Sequence, residues 1–193
     1  QAGRRCGREP LPDAPDWTAD DAARVLLLAA LPPGKAADEV PTLYRYGDAA
    51  EKRAVLRALP FLPVGDAGVP LLHDAIRTND TRLVAAAVGP YGGRVLDDAA
   101  WRQAVLKCLF TGVPLTAVDR LDERAWDETW LGDWKTEHLL AHMAGWAHEM
   151  TGGLERVKKG ERPTPEGVSY SDTDSWNAKF ASTATPGKAA LPS

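Results

Sequence analysis

The stretch DAAEKRAVLRALP (Asp48–Pro60) decides the fold class. Asp48 stands where a helix N-cap belongs, and Glu51, three residues on, is its partner in a capping box. Val55, Leu56 and Leu59 then recur at helical spacing as one buried stripe. Pro60 has no N–H to give and ends the helix. Working outward, the same grammar repeats. Thr18 and Asp21 form a box-like pair that opens a helix running to LPPG (Leu31–Gly34). A short helical piece starts at Glu39 or Pro41 and stops at Tyr46 before Gly47. Another helix spans about Asp66–Arg77 on a stripe of Val69, Leu72 and Ile76. Asp80 or Thr81 starts the next, through Leu83, Val84, Ala87 and Val88, and Gly89-Pro90 closes it. Asp97 or Asp98 caps a helix striped by Trp101, Val105, Leu106 and Leu109, ended by Gly112 and Pro114. No sustained period-two alternation occurs here, so no sheet is expected. Short amphipathic helices joined by three- to six-residue turns predict an all-α stack of antiparallel pairs, as in helical-repeat proteins.

The composition changes partway along the chain. Residues 1–125 hold thirteen Arg and three Lys, whereas residues 126–193 hold two Arg and five Lys. Five of the seven Trp lie in the second part: Trp126, Trp130, Trp134, Trp146 and Trp176. This shift predicts a boundary near residue 125. Beyond it, Leu139, Met143, Trp146, Met150, Leu154 and Val157 form one stripe on a helix from Thr136 to about Lys158, as in a bundle. Asp172 or Asp174 caps a last helix through Trp176 and Phe180. Residues 1–16 and 182–193 lack periodicity and are expected to be unordered.

Several function classes are disfavoured by simple counts. The 193 residues carry a formal charge of −4, which argues against nucleic-acid binding. The longest apolar run, Val25–Leu31, is far too short to span a bilayer. Two cysteines, Cys6 and Cys108, exclude a disulfide framework and a cysteine-based zinc site. There is no GxSxG, no phosphate-cradling glycine loop and no signal-like segment. The expected location is the bacterial cytoplasm, with the native N-terminus unseen because the chain opens on Gln.

Three longer strings carry a resemblance: YRYGDAAEKRAVLRALPFLP (Tyr44–Pro63), LLHDAIRTNDTRLVAAAVGPYG (Leu71–Gly92) and DDAAWRQAVLKCLFTGVPLTAVD (Asp97–Asp119). Residues 17–125 resemble the EboA domain family, found in small bacterial gene clusters linked to precursor traffic in secondary metabolism. The resemblance implies an all-helical domain with no established reaction. The stretch from Trp130 to Phe180 is similar to DinB-like bundle proteins, which include thiol-dependent maleylpyruvate isomerases. That second resemblance covers residues 126–181 as a partial four-helix-bundle segment. It implies that His142 matches the first of three metal ligands, while the region holding the other two is absent. The joint falls near LDERA (Leu121–Ala125). It admits either a fusion or an artificial join of two reading frames, and the latter would leave the chain with no single function.

The candidate chemistry follows. His138 and His142 are four apart on one helix, a spacing that can serve one zinc, nickel or iron ion if the DinB-like site is completed. Otherwise no cofactor is expected. His148 lies about 240° round the helix from His142 and cannot easily join it. Glu149 is a base with no placed substrate. In the EboA-like part Tyr44, Arg45 and Tyr46 gather at one turn, and His73, Asp74, Arg77, Asn79 and Asp80 at another. Arg45 and Arg77 can grip a phosphate or carboxylate, Tyr46 can line the contact, and His73 can act as a base if a carboxylate orients it. Asn79 and Asp80 can equally end one helix and cap the next. Cys108 beside Lys107 is either activated or simply buried. Lys158, Lys159 and Arg162 complement a helix dipole. The expected function is a non-catalytic accessory role, binding a protein partner or a small metabolite. The competing one is a DinB-like metal-dependent transferase or isomerase. The long stripe of the last long helix also admits self-association.

Overall fold

The computed structural model describes residues 6–32, 34–121, 123 and 129–184, and the chain divides into two compact units, Gln1–Leu121 and Asp122–Ser193. The expected unordered residues 1–5 and 185–193 lie outside the described residues, as does most of the joint at Leu121–Ala125. The molecule is mainly α-helical.

The first unit opens with a hairpin of β1 (Pro10–Leu11) and β2 (Ala14–Thr18), paired antiparallel with Leu11 opposite Ala14. This corrects two expectations, since residues 10–16 were read as unordered and no sheet was foreseen. The hairpin is made by its turn at Pro12-Asp13, and two-residue pairing is too short to leave an alternating pattern. Helices follow: α1 (Ala19–Ala29), α2 (Ala36–Tyr46), α3 (Ala49–Ala58), α4 (Val69–Arg77), α5 (Thr81–Ala87), α6 (Pro90–Val95) and α7 (Asp98–Thr111). Single 3₁₀ turns lie at Leu59–Phe61, Gly65–Gly68 and Leu115–Ala117. The α3 capping box forms, with Asp48 accepting from the Ala50 and Glu51 N–H groups and Glu51 accepting from Asp48 N–H. Asp80 caps α5 and Asp97 caps α7. At α1, however, the Thr18 hydroxyl donates to Asp20 instead of capping, and Asp21 turns inward.

Packing centres on α3 and α5. Helix α3 packs on α1, α2 and α5, and α5 on α4 and α7 as well. Leu56, Ala58, Leu59, Leu72, Val84 and Trp101 are almost wholly buried between them. The α4 stripe differs from the expected one: Leu71, Leu72 and Ala75 are buried, while Val69 and Ile76 are half-buried. On α7, Ala104 and Cys108 join Trp101 and Val105 in the core, and Leu106 and Leu109 sit at its edge. Helix α6 was not foreseen. Pro90 occupies its first turn rather than only closing α5. A Cβ at Gly92 would collide with the Ala87 carbonyl, and one at Gly93 with the Asp119 carboxylate. Two glycines in six residues weaken any helical signal, yet they permit this close approach.

The second unit holds a hairpin of β3 (Thr129–Leu131) and β4 (Trp134–Lys135), then α8 (Thr136–Lys158) and α9 (Thr173–Ala181). The α8 bounds agree with the sequence reading. Helix α9 packs on α8 through an aromatic cluster of Trp146, Tyr170, Trp176 and Phe180, with ring centroids 5.0–6.4 Å apart. Gly145 admits Phe180, whose ring fills the space of a Cβ there. The rest of the stripe is not covered within this unit: Met150, Leu154 and Val157 are all more than half exposed. Among the described residues the unit contains these two helices and one hairpin.

Candidate functional site

The first unit carries an open groove of about 800 Å³. Helix α3 supplies one wall with Arg53, Leu56 and Arg57, which share a face at spacings of three and one. Helix α5 supplies another with Arg82, Ala85 and Ala86, followed by Gly89 and by Tyr91 and Arg94 from α6. Val113 and the 3₁₀ turn at Leu115–Ala117 close the third side, and Trp17 of β2 borders the entrance with Asp16. At Ala85 and Ala86 the α5 wall carries only methyl groups, which leaves space there. Phe61 lines it with its ring largely exposed, at 65%.

The charges around this groove are unequally partnered. Asp21 is fully buried behind the wall at 0% exposure. Arg53 grips it with two nitrogens, Nη2 at 2.8 Å from Oδ2 and Nε at 3.2 Å from Oδ1. Arg57 Nη1 reaches the same Oδ2 at 3.4 Å. One carboxylate therefore serves two guanidinium groups, and Arg53 holds the better geometry. The Arg57 guanidinium also lies over the Trp17 ring, 4.9 Å from its centroid. Burial pulls the Arg57 pKa down, Asp21 and Asp16 oppose this, and the neighbouring Arg53 adds to the fall. Arg82 is paired with Asp80, with Nη2 and Nε at 2.8 and 3.1 Å from its two oxygens. Arg94 is exposed and makes no hydrogen bond or ion pair with any described residue. Tyr91 donates to the Gly65 carbonyl and is buried, which pushes its phenol up.

The residues singled out from sequence lie elsewhere. Arg45 and Tyr46 are exposed at the end of α2, Tyr46 at 80%. Asn79 accepts from Lys107 Nζ at 2.7 Å, which ties the α4–α5 turn to α7. His73 is half-buried on α4. Asp74 accepts from the Tyr44 hydroxyl at 3.0 Å and lies 3.6 Å from Arg77, so part of the suspected cluster does come together. Burial and Asp74 push the Tyr44 phenol well above its ordinary range. None of Arg45, Tyr46, His73, Arg77 or Asn79 lines the groove. The signals that could have found it were Arg53 and Arg57 four apart beside Leu56, and the run AAAVGPYGG (Ala85–Gly93) of mostly small residues. Cys108 is wholly buried, and burial pushes its thiol up to about 11, so at neutral pH it is not a thiolate.

In the second unit the two candidate histidines have different fates. His138 Nδ1 accepts from the Lys135 backbone N–H at 3.0 Å, closing the start of α8. His142 meets the Trp134 ring edge-on at 5.1 Å, and its buried Nδ1 has no hydrogen-bond partner. Burial lowers its pKa, favouring the neutral imidazole. Glu149 accepts from the Tyr170 hydroxyl at 2.7 Å. Among the described residues no three His, Cys, Asp or Glu side chains gather where they could hold a metal ion. The residues described therefore do not by themselves fit the three-ligand centre that the DinB-like resemblance implies.

Fold and groove together define a mainly α-helical protein with an arginine-rimmed groove. Residues 9–144 match the family described as "Metabolite traffic protein EboA", and the chain belongs to that family. The match is longer than the resemblance read from the sequence. It runs across the joint at Leu121–Ala125 and takes in His138 and His142, which had been assigned to the DinB-like segment. No curated protein and no solved structure matches the chain. Among the described residues no helix is long and apolar enough to cross a membrane.

Proposed function

We propose that the chain is a non-catalytic accessory protein of metabolite traffic that holds a small molecule in the groove between α3, α5 and α6. The observation that carries this reading is the groove itself. Its volume falls in the range of small-molecule sites, and it combines an apolar floor with a few polar groups. Its lining contains no His, Cys or Lys, and its arginines suit binding better than proton transfer. The family description supports the traffic context. The test uses the neutral apolar dye Nile red. The whole chain should bind it with enhanced fluorescence, and Ala86→Trp, which fills the groove from α5, should lose most of that signal while keeping its helical circular dichroism. A folded wild-type chain that gives no enhancement, or an Ala86→Trp variant that binds as well, overturns the reading.

The DinB-like segment offers a second reading, metal binding at His142, favoured by the buried nitrogen that lacks a partner. It needs two more ligands from outside the described residues. Metal analysis of the purified chain decides it: a stoichiometric ion lost in His142→Ala supports it, and a metal-free chain at saturating zinc removes it.

A further inference from the structure

We infer that the occupant of the groove is an amphiphilic anion, a phosphate or carboxylate head on an apolar aromatic or alkyl body, with Arg57 and Arg94 as the donors that select the charge. This rests on the reading of the groove as a small-molecule site and specifies what the site takes.

The argument begins with stoichiometry. Asp21 neutralises one guanidinium, and Arg53 claims both of its oxygens, while Asp16 at the groove's entrance acts on Arg57 through its field but makes no hydrogen bond to it. Arg57 is left with a single 3.4 Å contact to an oxygen already in use. Its other N–H groups have no hydrogen-bond partner among the described residues, although its side chain is only 18% exposed. A guanidinium so far removed from water is held at a cost that an anion hydrogen-bonded to its unused N–H groups would offset. Arg82 supplies no unpaired charge, because Asp80 neutralises it at Nε and Nη2. Arg94 does, since it lines the same groove and is unpaired among the described residues. Stacking on Trp17 holds the Arg57 fork in place before any ligand arrives, so little rotamer freedom remains to be lost on binding.

The rest of the lining decides the other half of the ligand. Leu56, Phe61, Ala85, Ala86 and Val113 give an inorganic anion nothing to touch. A purely apolar molecule covers them but leaves Arg57 desolvated and unpaired. A molecule with both parts satisfies both surfaces.

The experiment compares 1-naphthyl phosphate, 1-naphthol and inorganic phosphate on the whole chain, read by displacement of Nile red and by calorimetry. We expect naphthyl phosphate to bind at least about tenfold tighter than naphthol, as one charged hydrogen bond would give. Inorganic phosphate should displace little dye. Arg94→Gln, at an exposed position that leaves the core intact, should cut naphthyl phosphate affinity about 10-fold or more and leave naphthol unchanged. Arg57→Gln should do the same if it remains folded, and Arg45→Gln, off the groove, should change neither affinity. Equal affinity for naphthyl phosphate and naphthol overturns the inference while the groove reading stands. So does inorganic phosphate competing as well as its naphthyl ester, or Arg94→Gln behaving as wild type. Failure of Nile red and both naphthyl probes to bind removes the groove reading itself.

Discussion

At the scale of single residues, Asp21 does the most. Its carboxylate is wholly buried and joins α1 to α3 through Arg53 and Arg57. Removing the charge leaves two poorly solvated guanidinium groups without their anion. Asp21→Asn should therefore lower the unfolding free energy by about 3 kcal/mol, read as a shift in the urea midpoint. A loss under about 1 kcal/mol would place the strength of the α1–α3 contact in its apolar packing instead. Neither role was legible from the sequence. Asp21 stands at the position where a capping box puts its acidic partner, and local grammar has no way to tell that two arginines, 32 and 36 residues on, outbid the helix terminus for it. Local rules held where the competition was also local, as at Asp48 and Glu51.

At the scale of elements, the helices best read from the sequence were those with a cap, a stripe and a stop. Helices α3, α5, α7 and α8 carry these signals, and their bounds agree closely. Helix α6 carries none. Its residues PYGGRV have poor intrinsic helicity, and the segment is held by contact: Gly92 against the Ala87 carbonyl and Gly93 against Asp119. Gly92→Ala raises helix propensity yet should destabilise the protein, by about 1–3 kcal/mol, because the new methyl meets a backbone oxygen that cannot turn aside. Thermal unfolding checks the sign: a variant more stable than wild type would mean that α6 is free to slide. The groove was missed for a related reason. A site made of space between helices is written as an absence of large side chains, and periodicity of apolar residues does not register it. The clusters that did attract notice, around Tyr46 and Asn79, are polar groups at helix ends, where caps and ties such as Asn79 to Lys107 also gather.

For the whole molecule, acidity is the simplest global lever. Burial opposes ionisation of Asp20, but the Thr18 hydroxyl and Arg24, 2.6 Å away, together hold its carboxyl below the ordinary range. The Arg82 fork does the same for Asp80. Folded-state values below the unfolded ones mean that both groups contribute stability in full above roughly pH 4, and lose it as pH falls through their lowered values. The urea midpoint should be flat from neutrality to about pH 5 and then drop, with Asp20→Asn showing a shallower drop. An equally steep fall in that variant would assign the acid sensitivity to other carboxylates. The all-α class and the EboA family were both legible, because caps, stripes and long strings are properties of the chain itself. The extent of the family was not, since the shift in Arg and Trp content near residue 125 lies inside the match rather than at its end.

The small side chains at Ala85 and Ala86 of the α5 wall have one more consequence. The groove's width is set by Ala85, Ala86 and Gly89, whose side chains hold at most one carbon each. The core of the same unit is held by other letters: Leu56, Leu72, Val84, Trp101 and the Asp21 ion pair. Exchanging a methyl for an isopropyl at Ala86 would narrow what fits without touching what folds. On the proposed reading of the groove, cargo choice and architecture are separately heritable, and a lineage could retune the one through single substitutions while the other stays fixed.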